Sequence, residues 1–582
     1  MNILLKEVRI SGFRGLENFE IKLEKVTVLT GMNNSGKTSF LKALQVVLGN
    51  RQFISQDDFS INENETSEKI IIDILIVPCN DYFVEEADFS EDWEILFTTD
   101  RIRIDGVKSF IPIRTIITFD TIKNSFKSEQ YVLPLWPIFK HNQKFWYECE
   151  SGNEKSFHFE ELPFFFMDAQ RDILEDTKLR GSYISKMLSK IEYSQSDIKD
   201  IEEQIKNLNE KTVASSDVLR GLTETLKELD SAMDSRNDGI DITPFTKKLR
   251  DLSKGLTIYY TDKQDSFSME YHGMGTRSWS SLLTLKSFIL LLSRNAEEDN
   301  SCFFPVLAIE EPEAHLHPNA QKKLYKQLCS IKGQIIISTH SPYIAASANL
   351  SQVRNIYKNP SASCGQIPLD KLSDEDIRKI KRQVINTRGE IFFSKVIIFF
   401  EGETEEQALP IFSEKYFNLS PVEMGLDFIG VGGYKSYLPF LRFAENLNIP
   451  WLIFSDADVD VQTCIDKHLK NLETSKDKED VVVFLDDGND FEKQLIQDDY
   501  REEIRKSIAS FDEYSNAEHR DAKEENRKIE ISNLSDTELL KMISSTKTKF
   551  GPAIAEQIIM SGKELPPKVI KLFEKTKLLY GI

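Results

Sequence analysis

The feature that most constrains this chain is a glycine-bracketed loop set between a strand and a helix. The apolar run Lys25-Val-Thr-Val-Leu-Thr30 leads into Gly31-Met-Asn33-Asn34-Ser35-Gly36-Lys37-Thr38-Ser39, and a helical pattern, Phe40-Leu-Lys-Ala-Leu, follows at once. Both the GxxxxGK[ST] spacing and its strand-to-helix setting are met. Glycines at Gly31 and Gly36 let backbone amides wrap phosphate oxygens, and the helix start adds partial positive charge. Lys37 can reach the terminal phosphates and Thr38 can ligate magnesium. A nucleotide-binding α/β domain follows, with ATP and Mg2+ (or Mn2+) as expected cofactors.

A second apolar strand, Val306-Leu-Ala-Ile, ends in Glu310-Glu311-Pro312. Two carboxylates at a strand end suit the two tasks of a nucleotide site: Glu310 to hold the magnesium and Glu311 to polarise the attacking water. Further on come Glu313-Ala-His315-Leu-His317 and the strand Gln334-Ile-Ile-Ile-Ser-Thr-His340. EEPEAHLHP and STHSP resemble the Walker B, D-loop and switch histidine of ABC-type ATPases of the Rad50, SMC and RecF group, and VRISGFRGLENFEIKL is similar to how those proteins begin. The resemblance implies that His340 senses the terminal phosphate and that Gln170 is the Q-loop residue ahead of a helical insertion. The signature loop departs from the family. Its place is taken by His272-Gly273-Met-Gly275-Thr-Arg-Ser278, which keeps Gly273 and Gly275 but lacks the usual serine. Regulation through nucleotide binding is therefore expected ahead of efficient turnover.

A separate set of carboxylates lies in the C-terminal third. The strand KVIIFF ends in Glu401-Gly-Glu-Thr-Glu405, and WLIFS ends in Asp456-Ala-Asp458, whose period of two puts both acids on one side of an extended chain. Acids converging at the carboxyl edge of a parallel sheet repel one another unless divalent ions neutralise them. EGxxE followed by DxD resembles the Toprim fold of topoisomerases, primases and nucleases. An ATPase head upstream of Toprim resembles the OLD-family endonucleases, over nearly the whole chain. That likeness implies a further acid, assigned to Glu492, and a late lysine, assigned to Lys549 with Lys547 as alternate. It also implies metal ligation by Glu401, Glu405, Asp456 and Asp458. Gly432, Gly433 and Lys435 either shape the rim of this site or form a plain turn.

The 582 residues exceed what one core organises, and apolar runs near the length of a membrane span are absent, so a cytoplasmic multidomain protein with no membrane partner is expected. Six scattered cysteines without a CxxC pair suggest neither a zinc site nor a disulfide framework. The net charge of −21 opposes broad attraction to nucleic acid, so any DNA path must be locally basic.

The expected architecture is α/β throughout. An ABC-type head spans 1–174 and 261–357, interrupted at 175–260 by a helical dimerisation insertion with apolar residues at helical spacing. A Pro/Ser/Gly/Asp-rich linker at 358–390 leads to a Toprim domain at 391–582 with a parallel sheet. The implied activity is metal-dependent DNA cleavage under nucleotide control by a homodimer or a dimer of dimers. Because OLD-family members include the Gabija A subunit and effectors encoded beside retrons, the resemblance implies anti-phage defence. It also implies, as partner, a second defence protein or a reverse transcriptase with its RNA/DNA. The alternatives are a RecF-like repair mediator that binds DNA without cutting it, and strand passage, for which no recognisable tyrosine nucleophile domain is present.

Overall fold

A computed structural model describes residues 2–49, 54–62, 65–120, 124–140, 146, 152–178, 194–220, 259–262, 265–358, 361–385, 389–472, 474, 476–510, 529–544 and 547–581. The chain forms two compact units, one of residues 1–165, 306–311 and 334–582, the other of 166–305 and 312–333.

The first unit opens with an antiparallel sheet. Asn2–Ser11 pairs with Phe19–Lys22 on one side and with Lys69–Cys79 on the other, and Lys108–Asp120, Ser125–Val132 and Asn153–Glu154 extend the sheet outward. In Lys69–Cys79 every residue after the first is buried, so the sheet is covered on both faces there. Asp73 sits in the middle of that run, directly opposite Arg114 on the neighbouring strand. Both side chains are fully buried and meet fork to fork, Nε to Oδ1 at 2.8 Å and Nη2 to Oδ2 at 2.7 Å, and Nη2 also donates to the Trp146 carbonyl at 2.9 Å. Burial pushes the Asp73 carboxyl above its usual range despite the pull of Arg114.

A parallel sheet carries the nucleotide motifs. Its strand order is Phe164–Met167, Val306–Glu310, Gln334–Ser338, Val26–Thr30, Val353–Lys358, Ala362–Gly365, with Val306–Glu310 through Val353–Lys358 parallel and the last pair antiparallel. VTVLT, VLAIE and QIIIS are buried along their whole length, as expected for strands covered on both faces. The buried Gln334 amide accepts from Leu5 N and donates to the Leu5 carbonyl, at the point where the register of the antiparallel sheet shifts between Leu5 and Glu7. One side chain thereby satisfies backbone groups of the neighbouring sheet.

A second parallel sheet, Leu426–Gly430, Val396–Phe400, Trp451–Ser455, Val482–Phe484, completes the first unit. Its core joins Ile398, Phe400, Leu452 and Phe454 to the helices Glu403–Phe417, Lys547–Ser561 and Pro567–Tyr580 through Leu409, Phe412, Ile554, Ile558, Leu572 and Phe573. The stretch read as a linker is folded: it holds the strand Ala362–Gly365, the helix Asp374–Ile380 and a π-helical turn, Lys381–Ile385.

In the second unit the long helix Met274–Glu298 is tied to Pro318–Cys329 by Trp279 Nε1 donating to Gln327 Oε1 at 2.8 Å. The helix Gln195–Ser215, capped by Ser194, half-buries Ile198, Ile201 and Ile205 at the spacing read from the sequence. The remainder of the expected insertion at 179–193 and 221–258 lies outside the described residues. Among the described residues no helix is long and apolar enough to cross a membrane.

Removing one partner of a buried ion pair strands the other charge. Asp73→Ala is expected to cost about 3–5 kcal/mol in urea unfolding, and Asp73→Leu with Arg114→Met to recover most of that loss. A single-variant cost below about 1 kcal/mol would show that the pair does not hold the sheet.

Candidate functional site

The phosphate loop leaves the buried strand Val26–Thr30 and enters the helix Lys37–Leu48. Its turns use positive φ at Gly31 (130°), Asn34 (60°) and Gly36 (112°). At Gly31 a side chain is also excluded sterically, because a Cβ would strike the Ile356 carbonyl oxygen. Lys37 is buried, its ammonium donating to the Gly31 and Met32 carbonyls at 2.8 Å each. Thr38 Oγ1 donates to Glu310 Oε1, so the two groups expected to share a magnesium already touch. Glu311 follows at φ 42°, with its N–H donating to the Ser338 carbonyl at 2.9 Å.

His340 lies 3.8 Å from the Glu311 carboxylate. Burial, and then the nearby Lys37 charge, lower the His340 pKa to about 4. The imidazole is thus neutral near pH 7, and its approach to Glu311 is a dipolar contact and not an ion pair. These groups line a cavity of about 590 Å3 together with Asn33, Asn34, Ser35 and Ser39. Ser35 Oγ is buried there without a hydrogen-bond partner, which fits an incoming polar ligand. The cavity also draws in Arg14, which binds Asp58 at 2.5 Å, and Lys358, at the end of Val353–Lys358. Neither was singled out in the sequence. Arg14 lies within the SGFRG segment, whereas Lys358 carries no motif. Gln170, exposed, and Gly273, the N-cap of Met274–Glu298, belong to the second unit, as does Gly275, where a Cβ would strike the His315 carbonyl oxygen.

The carboxylates gather at the carboxyl edge of the other parallel sheet. Glu401 ends Val396–Phe400 and accepts from Ser455 Oγ and from the Tyr434 backbone N–H. That amide follows Gly432 and Gly433, at φ 73° and 115°. Burial raises the Glu401 pKa, these two hydrogen bonds oppose the rise, and Asp458 adds to it. Glu405, nearly buried, folds back so that any Cβ on Gly402 would meet its Oε2. Glu492, 2% exposed on the helix Phe491–Gln497, accepts from Thr404 Oγ1 at 2.6 Å.

Asp456 stands at the centre. Its pKa is pushed up to about 7, first by burial and then by the charges of Glu401, Asp490, Glu492 and Asp458. Four carboxylates, from the end of Val396–Phe400, the loop of Asp456 itself and the start of the helix Phe491–Gln497, therefore act on one. Asp490, which caps its own helix by accepting from Lys493 N at 2.9 Å, was not singled out in the sequence. Lys549 is exposed near the start of Lys547–Ser561. Gly551 on the same helix lies against the Thr404 carbonyl oxygen, with 3.2 Å left for a Cβ, so this helix begins beside the acids. The side chain of Lys547 lies outside the described residues.

Asp456 Oδ1 is buried without a hydrogen-bond donor, and the surrounding set is hard oxygen, so the residues fit a divalent cation of the magnesium or manganese type. Among the described residues no three His, Cys, Asp or Glu side chains close into an ion cage.

Residues 4–345 match the family model described as AAA ATPase domain, and residues 392–458 match the model for the overcoming lysogenization defect protein-like TOPRIM domain. The chain is 23% identical over 503 residues to the OLD nuclease of Thermus scotoductus, covering 78% of this chain and 82% of that protein. It is also 23% identical over 490 residues to the endonuclease GajA of Bacillus cereus strain VD045, covering 78% of this chain and 74% of that one. Among solved structures, the C-terminal region of the Burkholderia pseudomallei OLD protein aligns at 21% identity and a TM-score of 0.25, over 32% of this chain and 99% of its own.

A carboxyl whose folded pKa is raised binds a proton that the unfolded chain has released, so stability falls as pH rises through that window. For Asp456 the window runs from 3.8 to about 7. In EDTA, Asp456→Asn is expected to gain on the wild type across this range, reaching about 1 kcal/mol at pH 7 once solvent screening is allowed for. Denaturation curves that keep the same separation at pH 4 and pH 7 would remove the crowding of charge from the account.

Proposed function

The chain belongs to the AAA ATPase domain family, and from that premise we propose that it is a nucleotide-regulated, divalent-metal-dependent DNA endonuclease. The observation that carries the reading is the convergence of Glu401, Asp490, Glu492 and Asp458 on Asp456, in the same chain as a complete phosphate loop. Such crowding disfavours the metal-free state and is what cation binding relieves. Two relatives that each match 78% of the chain are named nucleases, in keeping with this reading.

Glu401, Glu405, Asp456 and Asp458 would hold the ions, with Glu492 adding negative charge from its bond to Thr404. Divalent ions bound there would supply charge neutralisation and an activated water for phosphodiester hydrolysis. Ser455 and the Tyr434 amide fix the Glu401 carboxylate so that it does not reorganise as substrate arrives. Lys549 would offset charge on the phosphate being cut. In the head, Lys37 and the loop amides would bind the phosphates of ATP, Thr38 and Glu310 its magnesium, and Glu311 would orient water while neutral His340 reads the terminal phosphate.

Coupling between the sites has a short path. A cavity of about 570 Å3 behind the loop is lined by Gly31–Ser35 and also by Lys395 and Val396, where the strand ending at Glu401 begins. The fully buried strand Val396–Phe400 would carry a displacement of the loop to Glu401. The helical insertion, with its Ile198, Ile201 and Ile205 stripe, is proposed to hold a dimer, and anti-phage defence with a partner protein or a reverse transcriptase is the proposed setting.

Incubation with supercoiled and linear DNA, Mg2+ or Mn2+, and ATP tests the reading. Asp456→Ala or Glu401→Ala is expected to cut about 100-fold more slowly or worse with ATP affinity unchanged. Lys37→Ala is expected to bind ATP about tenfold more weakly or worse, through loss of charge-assisted hydrogen bonds. Wild-type cutting by either acid variant would sink the nuclease assignment. Glu311→Gln should bind ATP and still show the nucleotide's effect on cutting, and its absence there would place control in hydrolysis. A deletion of 175–260 that sediments as a fully formed dimer would move the dimer contact elsewhere.

A further inference from the structure

A chain of net charge −21 can engage a DNA backbone only where basic groups are concentrated. Between Arg378 and Lys395 the sequence carries six basic residues, Arg378, Lys379, Lys381, Arg382, Arg388 and Lys395, against one acid, Glu390. Arg388 lies outside the described residues. Arg378 and Lys379 close the helix Asp374–Ile380, whose first turn is acidic and whose start is capped by Ser373. Cations at a helix end are unremarkable alone, since they complement its dipole. Here they continue past the helix into the π-helical turn Lys381–Ile385, a widening that is rare and recurs at functional sites. Ile380, Val384 and Ile385 are buried and clamp the turn, leaving Arg378, Lys381 and Arg382 exposed. Among the described residues Lys379 pairs with Glu375 at 2.7 Å, while Arg378, Lys381 and Arg382 have no carboxylate within ion-pair distance. The four basic side chains and Glu375 line a groove of about 450 Å3.

The groove is fixed relative to the carboxylates. Arg442, on the helix Tyr437–Asn446, clasps Asp376 of the basic helix at 2.8 Å. The other end of that helix begins beside the site, where the Tyr434 amide meets Glu401 and the Tyr437 hydroxyl donates to the Phe454 carbonyl at 3.5 Å. A ten-residue helix is about 15 Å long, so the clasp lies within half a turn of duplex from the acids.

We propose that Arg378, Lys381 and Arg382 form the phosphate track that holds the DNA backbone flanking the bond cut at Asp456. The proposal rests on the endonuclease reading and adds to it the missing positive surface. The acids attract ions and repel DNA, so substrate is retained by a separate patch on a shared rigid element. Guanidinium forks at Arg378 and Arg382 suit phosphate oxygens, and Lys381 between them acts as a point charge.

The test compares the full-length wild type with Arg378→Gln/Lys381→Gln/Arg382→Gln and with the charge-preserving Arg378→Lys/Lys381→Arg/Arg382→Lys. Duplex binding is followed by fluorescence anisotropy in EDTA across a salt series, and hydrolysis of bis(p-nitrophenyl) phosphate with Mn2+ reads the acids directly. The glutamine variant is expected to lose about 2.7 from the salt slope of log affinity, at about 0.9 per phosphate contact, and at least tenfold in affinity. The charge-preserving variant should keep the wild-type slope, and all three proteins should hydrolyse the small ester alike. Equal slopes and affinities for glutamine variant and wild type would overturn the track, and ester hydrolysis by both would leave the nuclease reading standing. A slope lost in the glutamine variant, with neither DNA nor ester cut by the wild type, would support the track and overturn the nuclease instead.

Discussion

Parallel strands buried on both faces leave charged groups one favourable place to emerge, the carboxyl edge of the sheet, and both candidate sites occupy that edge. VLAIE ends in Glu310, and QIIIS runs on to His340. VIIFF is followed by Glu401, and WLIFS by Asp456. The strand interiors carry no chemistry, but their close packing fixes where the chemistry stands. Ser455 meeting Glu401 is a consequence of neighbouring strands ending at the same level, while Thr38 reaches Glu310 from the helix that follows Val26–Thr30.

Charge balance then separates the two edges. At the nucleotide edge a buried lysine, a neutral histidine and a carboxylate turned toward a hydroxyl leave a cavity ready for a polyanion. At the other edge Glu401, Asp456, Asp458, Asp490 and Glu492 stand together, and the arrangement holds because two hydroxyls and one backbone amide engage Glu401 and Glu492. Asp456 has no such donor on Oδ1, and its pKa rises to about 7. The stability given up there is what a functional site commonly costs the fold.

Backbone conformation aims the groups that the strands deliver. Gly31 is required by the Ile356 carbonyl oxygen, and Gly432 and Gly433 by the turn that presents the Tyr434 amide. Glu311 adopts positive φ without being glycine, and its N–H to Ser338 holds it there. Strain of this kind persists where the surroundings over-determine it, and here it sits beside the phosphate loop.

Local patterns made much of this legible. The loop between KVTVLT and SFLKAL, the acid pair after VLAI, and the acids after VIIFF and WLIFS are each encoded in contiguous residues, because a strand end and the turn after it are local events. Glu492, assigned to the acid group through the family resemblance, accepts from Thr404, 88 positions away. What the sequence left open depends on contacts between distant segments. Asp490 and Lys358 carry no motif and become part of their sites only when a helix and a strand end are packed there. The stretch 358–390 reads as a linker because Pro, Ser, Gly and Asp favour turns. It folds because Ile380, Val384 and Ile385 find a core that no local pattern describes. By itself the sequence determined which residue types end each strand, since alternation and turn chemistry act over a few residues. Tertiary structure alone decided which of those ends share an edge and how strongly their charges act on one another, because burial and Coulomb repulsion depend on distance in space and not along the chain.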